Sequence, residues 1–287
     1  MTIPIPHSIL KLMYIFFVSA AVILLGIVFL AFTPRDRALF SSQEQSFDWE
    51  GQSRKFVLSQ GSQPTPDSKL LLGLHGFGDS PRRFAYYTGL HNTVGESDIV
   101  LYPSATKPTE AKQKTGWNAA FCCGSGWFNK VDDVGFLSQL AISQAEAHGI
   151  SPENIFVVGF SNGAFMAQRL SAERPDVFKA AAARSGSIGT KKQSLSIKQP
   201  VPIYLSHGEQ DTTVPFTGGV GKSDPDFDWK SFSETIAAWK EANGTNAPTV
   251  VNTHPNEAHI WHDWRLINFW HKKPQGSKDI VTFFDSL

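Results

Sequence analysis

The chain has 287 residues, with 26 basic and 26 acidic side chains. That formally neutral balance gives no electrostatic case for nucleic acid as a partner. An apolar fraction of 41% is ordinary for a globular protein and permits a sizeable core, and no internal repeat or low-complexity tract is present.

Residues 1–11 read as a short tail. The 12–32 segment carries no charge, and its polar side chains are Tyr14 and Ser19. As a helix it would be about 32 Å long, enough to cross a bilayer. A cleaved leader has a shorter apolar core, of ~7–15 residues, ending in small residues. The sequence Leu30-Ala31-Phe32-Thr33-Pro34 is a poor cleavage site. The expectation is therefore a single uncleaved transmembrane anchor, with the lipid bilayer as partner. Orientation is open, because Lys11 before the span nearly balances Arg35 and Arg37 after it. Residues 33–46 are polar and aperiodic and are expected to be a linker, leaving 47–287 as one catalytic domain.

Within that domain, 47–58 predicts a hairpin at a sheet edge, and 69–74 a buried strand running into His75-Gly76-Phe77-Gly78-Asp79. A strand follows at 99–103. The 131–148 segment is helical, with Val134, Phe136, Leu137, Leu140, Ala141 and Ala145 on a recurring face. Further strands are expected at 154–158, 180–186, 201–206 and 249–253, and helices after residue 163, over 231–242 and over 278–286. Alternating strands and helices predict an α/β fold, a mostly parallel sheet with helices on both faces.

The only cysteines, Cys122 and Cys123, are adjacent. Neighbouring Cα atoms across a trans peptide lie ~3.8 Å apart, closer than an ordinary disulfide spans. Two free thiols are the expectation, and no metal-ligand spacing exists.

The chemistry centres on Gly159-Phe160-Ser161-Asn162-Gly163, a G-x-S-x-G that follows an apolar strand and opens a helix. A nucleophilic serine exposed on such a turn leaves no room for side chains two positions away. It needs a base, and the base an orienting acid, in the order Ser, Asp, His along the chain. Asp211 is the expected acid. Glu209 sits too close to the strand end, and Asp224, Asp226 and Asp228 read as solvated. His259 is the expected base, with His271 its main rival beside His254 and His262. The oxyanion hole should use the backbone N–H groups of Asn162 and Phe77.

Five stretches together resemble the poly(3-hydroxybutyrate) depolymerase-like and feruloyl-esterase-like branch of the α/β-hydrolases. They are 74–79, Gly116-Trp117-Asn118-Ala119 with Cys122-Cys123-Gly124, Val131-Asp132-Asp133-Val134-Gly135-Phe136, 159–164, and His207-Gly208-Glu209-Gln210-Asp211. The resemblance implies the α/β-hydrolase fold. It also implies a serine esterase of short acyl, polyester-oligomer or feruloyl-type esters, acting without cofactor or metal. By it, Ser161, Asp211 and His259 take the triad roles. The family pattern Gly-Gly-His-x-Trp-Pro is here Glu257-Ala258-His259-Ile260-Trp261-His262, which lacks the glycines and the proline. Ala172 and Thr245 stand where the family carries further cysteines. Asp132 and Asp133 are expected to cap their helix. Trp117 and Trp127 are candidates to line the substrate cleft, with core or rim packing the alternative, and 105–130 and 216–228 are its expected lining loops. The family suggests that the domain faces the extracytoplasmic side. An inactive hydrolase-fold binding module and a serine peptidase are the alternative functions.

Overall fold

The computed structural model describes residues 13–14, 16–19, 33–107, 114–222, 224–261 and 275–287. Most of the 12–32 segment expected to span a membrane lies outside them. Among the described residues no helix is long and apolar enough to cross a membrane.

Among the described residues an eight-stranded sheet runs in the order β1-β2-β4-β3-β5-β6-β7-β10. These strands are β1 (Gln45–Trp49), β2 (Gln52–Ser59), β3 (Leu70–Leu74), β4 (Ile99–Pro103), β5 (Ile155–Phe160), β6 (Ala180–Arg184), β7 (Ile203–Gly208) and β10 (Thr249–His254). The first two form the expected hairpin. Its two-residue turn puts Glu50 and Gly51 at φ +48° and +75°, the double positive φ that matches the strands' twist. β1 and β2 pair antiparallel and β2 joins β4 antiparallel, while every pair from β4 to β10 is parallel. A separate ribbon pairs β8 (Gly219–Gly221) with β9 (Asp224–Trp229).

The continuous apolar strand runs are divided by the two-residue period of the strand. Leu70, Leu72, Leu74, Val157, Ala181 and Leu205 enter one core layer, and Leu71, Phe156, Val158, Ala182 and Tyr204 the other. The first layer is closed by the helices Asp133–Ala147, Asn162–Glu173 and Phe232–Asn243. The second is closed by Pro81–Thr88 and Gln275–Asp285, with Phe284 stacked on Phe156 at 4.8 Å.

Residues 33–46 depart from the expected linker. Pro34–Ser41 is a helix docked on the domain, with Asp36 and Leu39 buried. Thr33 and Asp36 make a reciprocal capping box with Pro34 in the first turn, a local start signal that outweighs weak periodicity. The Asp36 carboxylate accepts from His91 Nε2 at 2.9 Å and Asn92 Nδ2 at 3.0 Å. Arg35 donates to the carbonyls of Gly95 and Asp98, and Arg82 to those of Leu39 and Ser42.

The pair Asp132 and Asp133 also divides. Asp132 caps the helix, accepting from Gly135 N at 2.9 Å. Asp133 is instead fully buried, 2.7 Å from Arg54 Nη2 and accepting from Asn118 N at 2.8 Å. Burial outweighs these partners and raises its pKa.

Removing the Asp36 carboxylate leaves the His91 ring nitrogen and the Asn92 amide buried without their acceptor. Asp36→Ala is therefore expected to lower stability by about 3 kcal/mol. Denaturant melts of the full chain in detergent, against Ser41→Ala in the same helix, measure it. No difference between the two would show that the helix is only laid on the surface.

Candidate active site

The parallel sheet ends in loops on one side, where the carboxyl ends of β3, β5, β6, β7 and β10 meet. Ser161 follows β5 at φ +55° and ψ −122°, a strained region for a side-chain-bearing residue. Two glycines make that turn possible. A Cβ on Gly159 would lie 2.0 Å from Gly163 O, and one on Gly163 would lie 2.1 Å from Leu74 O. The backbone N–H of Ser161 donates to Arg184 O at 2.9 Å.

Three sequence-predicted residues come together here. His259 Nε2 lies 2.8 Å from Ser161 Oγ, and His259 Nδ1 lies 2.7 Å from Asp211 Oδ2. The separations along the chain are 98 and 48 residues. Asp211 is buried, and its Oδ1 accepts from the N–H groups of Thr213 and Val214 at 2.9 and 3.0 Å. His207 Nε2 approaches Oδ2 at 3.2 Å while also lying 2.9 Å from Val214 O. Burial alone would raise the carboxyl's pKa, but the hydrogen bonds from His207 and His259 override it. They hold Asp211 well below the usual carboxylate range.

Of the rival histidines, His254 meets Ser206 Oγ at 3.1 Å, and His262 and His271 lie outside the described residues. Glu209 keeps no place in the hydrogen-bonded line.

The loop after β3 is a tight turn. Asp79 N donates to Gly76 O, and Gly78 sits at φ +70°, as the third position of a type II turn requires. Gly78 N is occupied by Thr115 O at 2.7 Å. Among the described residues the amides of Phe77 and Asn162 donate no hydrogen bond to the protein. A Cβ on Gly76 would touch Ser161 Cβ at 3.4 Å, so this turn runs beside the nucleophile. Fully buried His75 holds it, with Nδ1 donating to Gly76 O at 2.8 Å while Nε2 accepts from Ala105 N at 3.1 Å. Burial lowers its pKa, which suits the neutral tautomer.

Of the two tryptophans expected in the cleft, neither lines the cavity that includes His259. Trp117 is fully buried, its Nε1 donating to His75 O at 2.9 Å and its N–H to Asn162 Oδ1 at 2.7 Å. It braces the turn against the elbow, because its indole N–H finds an acceptor only inside. Trp127 is half-buried and lines a cavity of about 420 Å³ with Phe121 and Phe227. The cavity that includes His259, about 160 Å³, is walled by Tyr87, Phe160, Ile260 and Trp261 with Asp79 and Arg83. The lining expected from 105–130 and 216–228 is divided: Phe121, Trp127 and 225–228 face the 420 Å³ cavity, while Phe216, Thr217 and Gly218 line another beside Asp211.

Cys122 and Cys123, expected as free thiols, are joined in a disulfide. The intervening peptide is cis and the Cα atoms are 3.2 Å apart, not the ~3.8 Å of a trans peptide.

Sequence reasoning missed three contributors. His207 enters the sequence reading only within a motif, although its i, i+4 spacing to Asp211 is legible. The Asn162 side chain, which also donates to Trp117 O at 3.2 Å, anchors the 114–124 loop. Arg184 closes the small-residue strand β6, and a lone charge ending a buried strand was the available signal.

Both shifted groups have lowered pKa values, so each stabilises the fold above its unfolded pKa and loses that contribution as pH falls. Acidification should therefore lower Tm first below about 6.5, from His75, and again below about 3.9, from Asp211. Thermal melts from above the upper limit to well below the lower one check it, and His75→Gln is expected to flatten the upper limb. An unchanged upper limb would mean that His75 is charged in the fold.

Residues 56–224 match the model of the Phospholipase/Carboxylesterase family. The putative esterase NocK of Nocardia uniformis subsp. tsuyamanensis is 25% identical over 217 residues, 68% of this chain and 58% of its own. A probable feruloyl esterase C of Aspergillus clavatus is 30% identical over 150 residues, 50% of this chain and 54% of its own. This chain thus spans little more than half the length of either relative. Among solved structures, that of native sOPH superposes with a TM-score of 0.58 at 14% identity, over 86% of this chain and 91% of that one. With the strand order and the strained serine turn described above, these matches place the chain in the Phospholipase/Carboxylesterase family, on the α/β-hydrolase fold.

Proposed function

We propose that the protein is a serine ester hydrolase working through an acyl-enzyme. Ser161 Oγ attacks the ester carbonyl while His259 Nε2 takes its proton. The oxyanion forms against the amides of Phe77 and Asn162. Collapse breaks the bond to the alcohol, which leaves with the proton from His259. Water, activated by the same imidazole, then releases the acid and restores Ser161. Asp211 keeps the proton on Nδ1 so that Nε2 is free to act as base. The observation that carries this reading is the continuous 2.8 and 2.7 Å line from Ser161 through His259 to Asp211. No step calls on a cofactor or a metal.

Short acyl, polyester-oligomer and feruloyl-type esters are the proposed substrates. The names of the relatives favour esters, and the 160 Å³ cavity beside His259 is about what a benzene-sized group needs. We further propose that 12–32 tethers the domain to a membrane with the domain extracytoplasmic. The Cys122–Cys123 disulfide favours an oxidising compartment.

Full-length protein in detergent should hydrolyse p-nitrophenyl acetate or butyrate and methyl ferulate. Ser161→Ala should abolish turnover and capture of a fluorophosphonate probe. Asp211→Asn should lower kcat about 10⁴-fold, through the wrong imidazole tautomer. A Ser161→Ala protein as fast as the parent would refute the proposal. A folded parent that neither turns over esters nor takes the probe would leave the inactive binding module. For the tether, carbonate-washed membranes should retain the protein, and its release into the wash would refute that part.

A further inference from the structure

His259 stands on the loop 255–261, which the resembling family builds with Gly-Gly before the histidine and Pro after the tryptophan. This chain has Glu257-Ala258 and His262 at those places, so the conformational freedom that glycine supplies is missing. The imidazole must be held over Ser161 by the contacts that its loop makes with the sheet.

Arg184 is the residue that reaches both. It ends β6 and is 2% exposed. Its backbone carbonyl accepts the N–H of Ser161 at 2.9 Å. Its guanidinium forks in the other direction, with Nε donating to Ile260 O at 3.0 Å and Nη2 to the Glu257 carboxylate. These contacts fall one residue after and two residues before His259. Nη1 donates to Ser206 Oγ at 2.7 Å, and that hydroxyl meets His254 Nε2, at the root of the same loop. The loop is further seated on Gly208, where a Cβ would lie 2.3 Å from Glu257 O, and Gln210 N donates to Glu257 O at 2.9 Å.

We propose that Arg184 and Glu257 form a positioning strut that sets His259 against Ser161. The glutamate at 257 is what gives the arginine its anionic partner. A planar, three-directional donor suits the task where an ammonium does not, since only a guanidinium satisfies three acceptors in one plane. Neither residue touches the reacting atoms. Their effect runs through the distance and orientation of the imidazole, to which catalysis is steeply sensitive.

This inference rests on the serine-hydrolase reading, and its test separates the two. The full-length double variant Arg184→Met, Glu257→Leu removes both charges together, so no unpaired charge is left buried. Glu257→Gln is the milder companion should the double variant fail to fold. The double variant is expected to retain a cooperative melt and a KM within about two-fold, while kcat for p-nitrophenyl butyrate falls about a hundred-fold. Fluorophosphonate capture of Ser161 should slow in parallel. Glu257→Gln should lower kcat with KM unchanged, and Arg184→Lys, in a Glu257 background, should recover part of the loss seen with Arg184→Met.

A spectroscopic signature reads the geometry without turnover. The downfield proton resonance of His259 Nδ1–H bonded to Asp211 should persist in Ser161→Ala and broaden or vanish when the strut is removed. Folded strut variants with parental kcat and an unchanged downfield resonance would overturn the proposal, as would a loss confined to Tm. A Ser161→Ala protein with full turnover would instead sink the esterase reading, and the resonance would still decide whether the strut places the imidazole.

Discussion

A hydroxyl at position 161 must meet an imidazole 98 residues away at 2.8 Å, and the rest of the molecule is arranged around that distance. Neither group is held by its own local structure. Ser161 is forced outward by a backbone conformation that only a Gly159–Gly163 turn accommodates. His259 hangs on a loop beyond the last strand of the sheet. The two are brought into register because β5, β6, β7 and β10 are neighbours in one parallel ladder, so the loops at their carboxyl ends open side by side.

Three polar contacts at or near the core share a job in this fold. Asp36 with His91 pins the helix that precedes the domain, Arg54 with Asp133 pins the 114–131 region through Asn118, and Arg184 with Glu257 pins the histidine loop. Each joins groups far apart along the chain, at separations of 55, 79 and 73 residues. Ion pairs in such surroundings give little net stability, because desolvation offsets the attraction. What they supply is direction: an alternative placement of the segment would strand a charge in the core. Apolar packing fills the two layers without saying where a loop must lie, and the charged pairs add that information.

Much of the site was legible because its signals are local. The glycines around Ser161 follow from sterics within five residues, and the cores of β2 to β7 and β10 follow from short apolar runs, whereas the β8–β9 ribbon lies in a stretch that reads as a polar loop. Asp211 was readable as an acid held just beyond a strand. The errors have a common origin. The helix at 34–41 was passed over because its capping box carries it rather than any amphipathic stripe. Trp117 reads the same in sequence whether it lines a cleft or a core, and only the acceptor at His75 O decides. The Cys122–Cys123 bridge turns on the geometry of a single peptide bond, which composition does not reveal.

The sequence by itself determined the α/β framework and the strained serine turn, since strand periodicity and steric exclusion act between near neighbours. Which histidine faces Ser161, which tryptophan is buried and what supports a loop stripped of its glycines were decided only by the tertiary structure. Those choices depend on which polar groups are left needing partners once the sheet has closed, and such partners come from anywhere along the chain.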